Sequence, residues 1–173
     1  SRNCSYYHGQ GFMRASISLK ENSTLILVLP DEGLTPQALL ASEEQMAGMF
    51  GHIIDEPYGR INLSIPKFQY GSYLELRPVL ERLGISQAFS PEQADFSGLG
   101  GSPDCLSGIS QVSGIRMDEN GINASSCLVI PPLEGSLSAE LSGEMILDRP
   151  FIYAVMAAPG VPAFIGVCGN PGV

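Results

Sequence analysis

The stretch that decides the fold is "INLSIPKFQYGSYLELRPVLERLGISQAFSPEQADFSGL", residues 61–99. It opens with apolar residues at alternate positions, which is typical of a strand with one buried face. These apolar residues are Ile61, Leu63 and Ile65. Pro66 lacks a backbone N–H, so the strand is predicted to end or bend there. The later "LRPVLERLG" predicts a short helix, because Pro78 suits its first turn and Gly84 its end.

The sequence before this stretch predicts a hairpin and then a helix. In "GFMRASISLKENSTLILVLPDEG", residues 11–33, an alternating run and a continuously apolar run flank "KENS", which predicts two strands joined by a turn. "LTPQALLASEEQMAGMF" follows at residues 34–50. Thr35 can cap the amino end of a helix there, and Pro36 fits its first position.

Strands dominate the sequence after the stretch. "ISQVSGIRM", residues 109–117, alternates like a strand, and "EMILDRPFIYAVMA" and "AFIGVCG" predict closing strands. Residues 150–173 carry no charge, but two prolines and a glycine in "MAAPGVPA" argue against a membrane span. We predict two buried strands joined by a turn there. Many strands with a few helices indicate an α+β fold.

The composition fits one folded domain that does not bind nucleic acid. The chain has 173 residues, of which 44% are hydrophobic, enough for a packed core. Its formal net charge of −9 argues against nucleic acid, since binding to phosphates needs clustered cations. The four cysteines are not spaced as C-x-x-C, so buried free thiols are expected. They are Cys4, Cys105, Cys127 and Cys168.

No pattern in the sequence predicts an enzyme. His8 and His52 are the two histidines, and neither H-x-x-x-H nor H-E-x-x-H occurs, so a metal site would lack its usual ligands. The Gly-rich "FSGLGGSP" has no Lys, so a turn is expected there rather than a phosphate loop. We therefore expect no metal and no cofactor. A Ser–His–Asp hydrolase that uses either histidine remains an alternative, without a G-x-S-x-G motif to support it.

Several motifs in a fixed order resemble the C-terminal half of a serpin. The resemblance runs from about Gly11 to Pro171 and includes "ILVLPDEG", "ISQVSGIRMDENG", "DRPFIYAV" and "FIGVCGNPG". It is most specific within residues 61–99. The matching positions there are Pro66-Lys67-Phe68, Leu76, Leu80, Leu83-Gly84, Ala88-Phe89 and Asp95-Phe96-Ser97-Gly98. The resemblance implies a serpin-like α+β fold of mixed β-sheets with a few helices.

The resemblance also implies that the chain is one half of a domain. A serpin is a longer chain, whose N-terminal half supplies most of the helices and the central strands of the main sheet. We expect residues 1–173 to be the C-terminal half of a serpin domain, with a reactive-centre loop at about 119–147. The missing N-terminal half is then expected as a companion chain. The opening "SRNCSYYHGQ" has no initiator Met and no signal-peptide pattern, which favours a processed or excised piece.

The family mechanism implies roles for the loop residues. A serpin acts as a suicide substrate: its exposed loop is cut by a target serine protease, the protease is held in a covalent complex, and the loop inserts into the main sheet. Gly121 gives backbone freedom at the hinge, and the small residues after it can enter a packed sheet. The expected hinge consists of Glu119, Gly121, Ile122, Asn123, Ala124, Ser125 and Ser126. The family's usual targets imply an extracellular protein, secreted or at the cell surface, that binds no membrane.

Three positions depart from the pattern of inhibitory serpins. Ile122 and Asn123 stand where inhibitors usually carry Thr or Ser and then Glu. These two departures keep open a non-inhibitory serpin that acts as a binding or structural protein. Gln111 stands where many members have a His that latches the sheet opening, and its amide can still form hydrogen bonds.

The bond that the protease cuts is placed by counting from the hinge, because the inserted strand has a fixed length at ~3.3 Å per residue. This count gives Gly135-Ser136, with Glu134 as the neighbouring residue. Counting back from Pro150 gives Ala139-Glu140 instead. We favour the count from the hinge, since strand insertion constrains that side.

The charges of the loop predict the kind of protease. No Lys or Arg lies between Arg116 and Arg149, so a trypsin-like target is not expected. An elastase- or subtilisin-like protease that accepts small residues fits better, followed by a Glu-preferring protease.

Overall fold

The computed structural model describes residues 2–19, 23–51, 58–99, 105–118, 121–124, 127–128 and 141–171. These residues belong to two compact units. The first unit comprises residues 1–68 and 116–173, and the second comprises residues 69–115.

The described residues form eleven strands and three α-helices, which confirms the predicted α+β class. The strands are β1 (Arg2–His8), β2 (Phe12–Ser18), β3 (Thr24–Pro30), β4 (Tyr58–Ser64), β5 (Phe68–Glu75), β6 (Ser110–Asp118), β7 (Gly121–Ala124), β8 (Cys127–Leu128), β9 (Leu141–Ile146), β10 (Phe151–Ala158) and β11 (Val161–Cys168). The helices are α1 (Pro36–Leu40), α2 (Glu43–Phe50) and α3 (Arg77–Arg82). Within the ranges given above, no helix combines the length and apolar character that a membrane crossing needs.

The first unit is built on a seven-stranded sheet with the order β11-β10-β3-β2-β1-β4-β9. The predicted hairpin is confirmed, since β2 and β3 pair antiparallel from Phe12 opposite Pro30 to Ser18 opposite Thr24. The turn predicted at "KENS" falls largely on residues 20–22, outside the described residues. The predicted break at Pro66 is also confirmed, because β4 ends before it and β5 begins after it.

The helical segment at residues 34–50 forms two short helices. The Thr35 hydroxyl accepts a hydrogen bond from the Ala38 N–H at 3.2 Å, so the cap predicted for the start of the segment is confirmed. Ser42 then caps a second helix by accepting from the Gln45 N–H at 3.3 Å. A serine that bonds to the backbone ahead of it favours a new helix start over a continuous helix.

The core lies on both faces of β3 and β10. All residues from Leu25 to Pro30 and from Phe151 to Met156 are buried. One face is covered by α1 and α2, and its buried cluster comprises Phe12, Ile26, Val28, Leu39, Met49, Ile152, Ala154 and Met156. On the opposite face, the Phe68 ring packs on the rings of Phe151 and Tyr153, at centroid distances of 5.7 and 5.5 Å.

The closing hairpin differs from the prediction in its burial. β10 and β11 pair antiparallel, and Gly160 in their turn has φ +75°. The prediction that both strands are buried is wrong for β11, where Val161 and Ile165 are 55% and 51% exposed. The reason is topological, since β11 is the last strand of the sheet and covers one side of β10.

The second unit contains most of β5, the helix α3 and the start of β6. The predicted helix is confirmed, and it stops before Gly84, whose φ of +89° is one that a residue with a side chain rarely adopts. Its first residue, Arg77, donates to Glu81 at 2.9 Å and lies 5.1 Å from the centre of the Phe89 ring. The Leu76 N–H donates to the Ile109 carbonyl at 2.8 Å, which joins the helix start to the chain entering β6.

The position of the Tyr153 ring depends on a glycine of the neighbouring strand, β11. Gly166 lies opposite Tyr153 in the β10–β11 register, and the tyrosine ring rests directly on it. A β-carbon at Gly166 would overlap the tyrosine hydroxyl and lie 3.1 Å from ring atom Cε1. Burial, followed by the nearby Cys168, raises the pKa of the Tyr153 hydroxyl above its usual value. The bare glycine is therefore what allows the ring to fill this part of the core.

We predict that Gly166→Ala destabilises the protein, because the added methyl group must displace the Tyr153 ring. Forcing extra volume into a packed site costs about 1–3 kcal/mol in free energy of unfolding. Gly169→Ala is the matched control, since a β-carbon there would meet nothing within 4 Å. Urea denaturation of both variants measures the difference, and equal stability of the two would contradict the proposed contact.

Candidate reactive segment

The strand β6 leads into the predicted hinge. Ile115 and Met117 are 5% and 6% exposed, whereas Arg116 between them points to solvent. The Arg116 guanidinium pairs with the carboxylate of Asp118 at 3.3 Å, at the end of the strand. Because side chains alternate between the two faces of a strand, the buried pair orients the end of β6 just before residue 119.

The predicted hinge contains a strand that lies next to β6. The four-stranded sheet has the order β5-β6-β7-β8, and β7 consists of Gly121, Ile122, Asn123 and Ala124. Two residues separate β6 from β7 in sequence, and parallel neighbours need a far longer connection, so the two strands run antiparallel. The remaining hinge positions, Glu119, Ser125 and Ser126, lie outside the described residues.

The chain reverses after β7. β8 pairs antiparallel with it, with Asn123 opposite Leu128 and Ala124 opposite Cys127. The described residues of the hinge region therefore form two short strands, β7 between β6 and β8. This reversal could not be predicted from the sequence, because "NASSCL" contains no Gly or Pro to mark a turn.

The C-terminal end of the predicted reactive-centre loop is held in the seven-stranded sheet. β9 pairs parallel with β4, and the Leu147 N–H donates to the Ser64 carbonyl at 3.0 Å. Met145 and Leu147 are 0% and 2% exposed. Gly143 lies against the Tyr6 ring, where a β-carbon would come within 3.1 Å of ring atom Cε1. The last part of the predicted loop, residues 141–146, is thus a strand of the seven-stranded sheet.

The start of β9 was missed in the sequence, although a signal for it exists. The sequence pattern predicts a strand from Glu144 onward, whereas β9 begins at Leu141. Leu141, Gly143 and Met145 share one parity, but a glycine in the middle of that pattern weakens the signal. The predicted cut-site residues just before it lie outside the described residues. These are Glu134, Gly135, Ser136, Ala139 and Glu140.

Gln111 lies on β6, as the resemblance implied. Its side chain is exposed, and its amide nitrogen Nε2 donates to the Ser113 hydroxyl at 3.2 Å. Ser113 is two residues away on the same face of the same strand. This hydrogen bond therefore links Gln111 to its own strand.

The groups that could support other chemistry are dispersed. His8 is exposed, and its Nε2 lies 3.2 Å from Asp31 Oδ1, while His52 lies outside the described residues. Burial, followed by Asp31, raises the pKa of the Tyr6 hydroxyl. Among the described side chains, no three His, Cys, Asp or Glu residues are placed to hold a metal ion.

The cysteines whose side chains are described form no disulfide. Cys4 and Cys168 are buried, and Cys105 is partly buried. The side chain of Cys127 lies outside the described part of the chain. The expectation of buried thiols outside disulfides is thus confirmed for Cys4 and Cys168.

Comparison with known proteins identifies the family. Residues 1–171 match the family described as Serpin (serine protease inhibitor). The chain therefore belongs to the serpin family, and the resemblance seen in the sequence is confirmed.

The relatives and solved structures that it resembles are longer proteins. A probable serpin E3 from Danio rerio is 31% identical over 88% of this chain and 36% of its own length. Plasminogen activator inhibitor 1 from Sus scrofa is 38% identical over 63% of this chain and 27% of its own length. Serpin48 from Tenebrio molitor is 28% identical, with a TM-score of 0.70 over 96% of this chain and 43% of that one. The chain thus spans about a third of the length of the curated relatives it matches.

We predict that Ile122→Pro separates β7 from the sheet. Proline cannot donate to a ladder of strand hydrogen bonds, and β7 lies between two strands. Amides at the end of β6, such as those of Met117 and Asp118, should exchange with solvent faster, while the amides of β3 keep their protection. Hydrogen exchange followed by mass spectrometry measures this. Ser138→Pro is the control, and unchanged exchange in β6 of the Ile122→Pro protein would show that β7 does not protect it.

Proposed function

We propose that residues 1–173 are the C-terminal half of a serpin domain that inhibits a serine protease by reactive-loop cleavage and insertion. The observation that carries this proposal is the position of β7. Four residues of the expected hinge already pair as a strand within the sheet that contains β6. Insertion then requires β8 to separate from β7, so that the chain beyond Ala124 continues along the same sheet.

The anchoring of the loop ends supports the mechanism. β6 precedes the reactive-centre loop of about residues 119–147, and β9 holds its far end against β4. A protease that cuts between these anchors releases the hinge side from the β9 side. The hinge side is then free to move while residues 141–171 keep their places in the seven-stranded sheet.

The exposed apolar surface of the second unit supports the proposal that an N-terminal half accompanies this chain. Among its described residues, this unit exposes six large apolar side chains, and exposed apolar patches mark sites where proteins interact. These side chains are Tyr73 at 62%, Leu74 at 53%, Val79 at 41%, Leu83 at 73%, Ile85 at 48% and Val112 at 78% exposed. We propose that the N-terminal half of the same serpin covers them, whether it belongs to the same chain or to a separate one.

The proposed target is an elastase- or subtilisin-like serine protease outside the cell. This assignment rests on the absence of Lys and Arg from the loop and on the small residues at Gly135-Ser136. The proposed cut follows Gly135, with Glu134 as its neighbour and Ala139-Glu140 as the less favoured position. Secretion is proposed because extracellular proteases of this kind are the partners that the loop fits.

A non-inhibitory serpin is the second candidate function. Ile122 and Asn123 at the hinge favour it, since the β-branched Ile122 adds bulk where the loop must enter a packed sheet. Such a protein would be cut in its loop and would release the protease. The exposed Gln111 is proposed as the sheet-opening latch in either case, through a hydrogen bond to a strand of the companion half.

We predict that the whole protein forms a complex with pancreatic elastase that survives denaturing electrophoresis. Ala124→Arg should abolish the complex while the loop is still cut, because insertion would bury an unpaired charge. Ala124→Ser is the matched control, since a small residue still fits, and it should retain the complex. The chain of residues 1–173 without its N-terminal half should form none. Cleavage of the unaltered whole protein without any complex would overturn the inhibitor proposal in favour of the non-inhibitory serpin.

We predict that the fragment released by denaturing the cleaved protein begins at Ser136. The length of an inserted strand fixes the distance from hinge to cut, so the cut should follow Gly135. Mass spectrometry of the fragment distinguishes this from a start at Glu140. A fragment that begins at Glu140 would show that the count from Pro150 is the right one.

A further inference from the structure

The outward face of β4 carries two exposed polar residues. Ile61 is fully buried at 0% exposure, whereas Asn62 and Ser64 are exposed. Successive side chains of a strand point to opposite faces, so Asn62 and Ser64 lie together on the face turned away from the core. Nothing in the proposed inhibitory mechanism uses either residue.

These two residues belong to an acceptor motif for N-linked sugar. Asn62-Leu63-Ser64 fits the pattern N-x-[ST] with a residue other than Pro in the middle. The pattern also occurs at Asn3, Asn22 and Asn123, whose side chains lie outside the described residues. A three-residue pattern is weak evidence by itself, so the inference at Asn62 rests on the exposure of both its asparagine and its serine.

We propose that Asn62 carries an N-linked oligosaccharide. The amide nitrogen Nδ2 forms a bond to the anomeric carbon of a lipid-diphosphate-linked oligosaccharide. The bond from that carbon to the diphosphate breaks, the lipid diphosphate leaves with the electron pair, and the amide loses one proton. The donor is a lipid of the secretory pathway, so the inference rests on the proposed secretion.

The neighbouring strand indicates what the oligosaccharide would cover. β9 is the last strand of the seven-stranded sheet, with Glu144 opposite Asn62 and Ile146 opposite Ser64. Glu144 is exposed, and Ile146 is 44% exposed, a large apolar side chain on this outward face. An exposed edge strand invites pairing with another chain. A sugar at Asn62 would shield Ile146. It would also hinder another chain from pairing with β9, the edge strand at the end of the proposed reactive-centre loop.

The test is to map the sugar on the whole protein, secreted from animal cells behind a supplied signal sequence. Peptide N-glycosidase converts a glycosylated asparagine to aspartate, so mass spectrometry of the peptide that contains residue 62 reports occupancy. We expect Asp at position 62 after treatment of the unaltered protein. Unmodified Asn62 in that secreted protein overturns the proposal, whatever the state of the other three motifs.

Three variants test whether the motif itself directs the attachment of the oligosaccharide. Asn62→Gln and Ser64→Ala should each lose one oligosaccharide, seen as the same single step in electrophoretic mobility. Ser64→Thr should keep it, because the motif is preserved. Loss in the threonine variant, or no step in the other two, would contradict the assignment. Elastase complex formation by Asn62→Gln is measured separately, so a failed inhibitor proposal and a failed sugar site give different results.

Discussion

The pairing of β3 with β10 is the interaction on which the seven-stranded sheet depends. Val28 lies opposite Ile152 and Leu25 opposite Val155, so the pairing joins segments that are far apart in sequence. Both strands are buried on both faces, and each fully buried Leu, Ile or Val contributes about 1.5–3 kcal/mol. The remaining strands extend outward from this pair on either side. The Arg149 side chain donates from Nε to the Pro30 carbonyl at 3.1 Å, which links the start of β10 to the end of β3.

The two sides of the proposed cut differ in what constrains their length. One end of the proposed loop continues from β7 in the four-stranded sheet, and the other enters β9, held in the seven-stranded sheet. Between two fixed ends, the entropy cost of a longer loop grows slowly with its length. Under the proposed mechanism, extra residues after the cut therefore cost little free energy, whereas residues before it must match the length of an inserted strand. This difference gives a physical reason for the disagreement between the two counts of the cut site.

The parts of the fold that the sequence predicted are those with local, uninterrupted signals. The hairpin of β2 and β3, the helix α3 and the break at Pro66 each follow from residues adjacent in the chain. The two helices α1 and α2 were not separated, because Ser42 fits a helix surface as well as a cap. The exposure of β11 could not be predicted, since it depends on which strand closes the sheet.

The candidate site was less accessible to sequence reasoning than the fold. The resemblance placed the hinge on Glu119 and on Gly121 to Ser126, and β7 covers four of these residues, Gly121 to Ala124. Its pairing with β8 depends on contacts between strands too short to carry a periodic signal. Whether the proposed serpin is an inhibitor depends on the free energy of loop insertion, which no local sequence pattern encodes.

The parallel pairing of β4 with β9 has a consequence for the molecule after proteolysis. The part of the chain that follows the proposed cut contributes β9, β10 and β11, three of the seven strands of one sheet. A cut before Leu141 severs the covalent link without removing any of the contacts that bury Met145, Leu147 or Phe151. The cut protein is then a complex of two peptides held by a shared core, and the smaller peptide leaves only when that core unfolds.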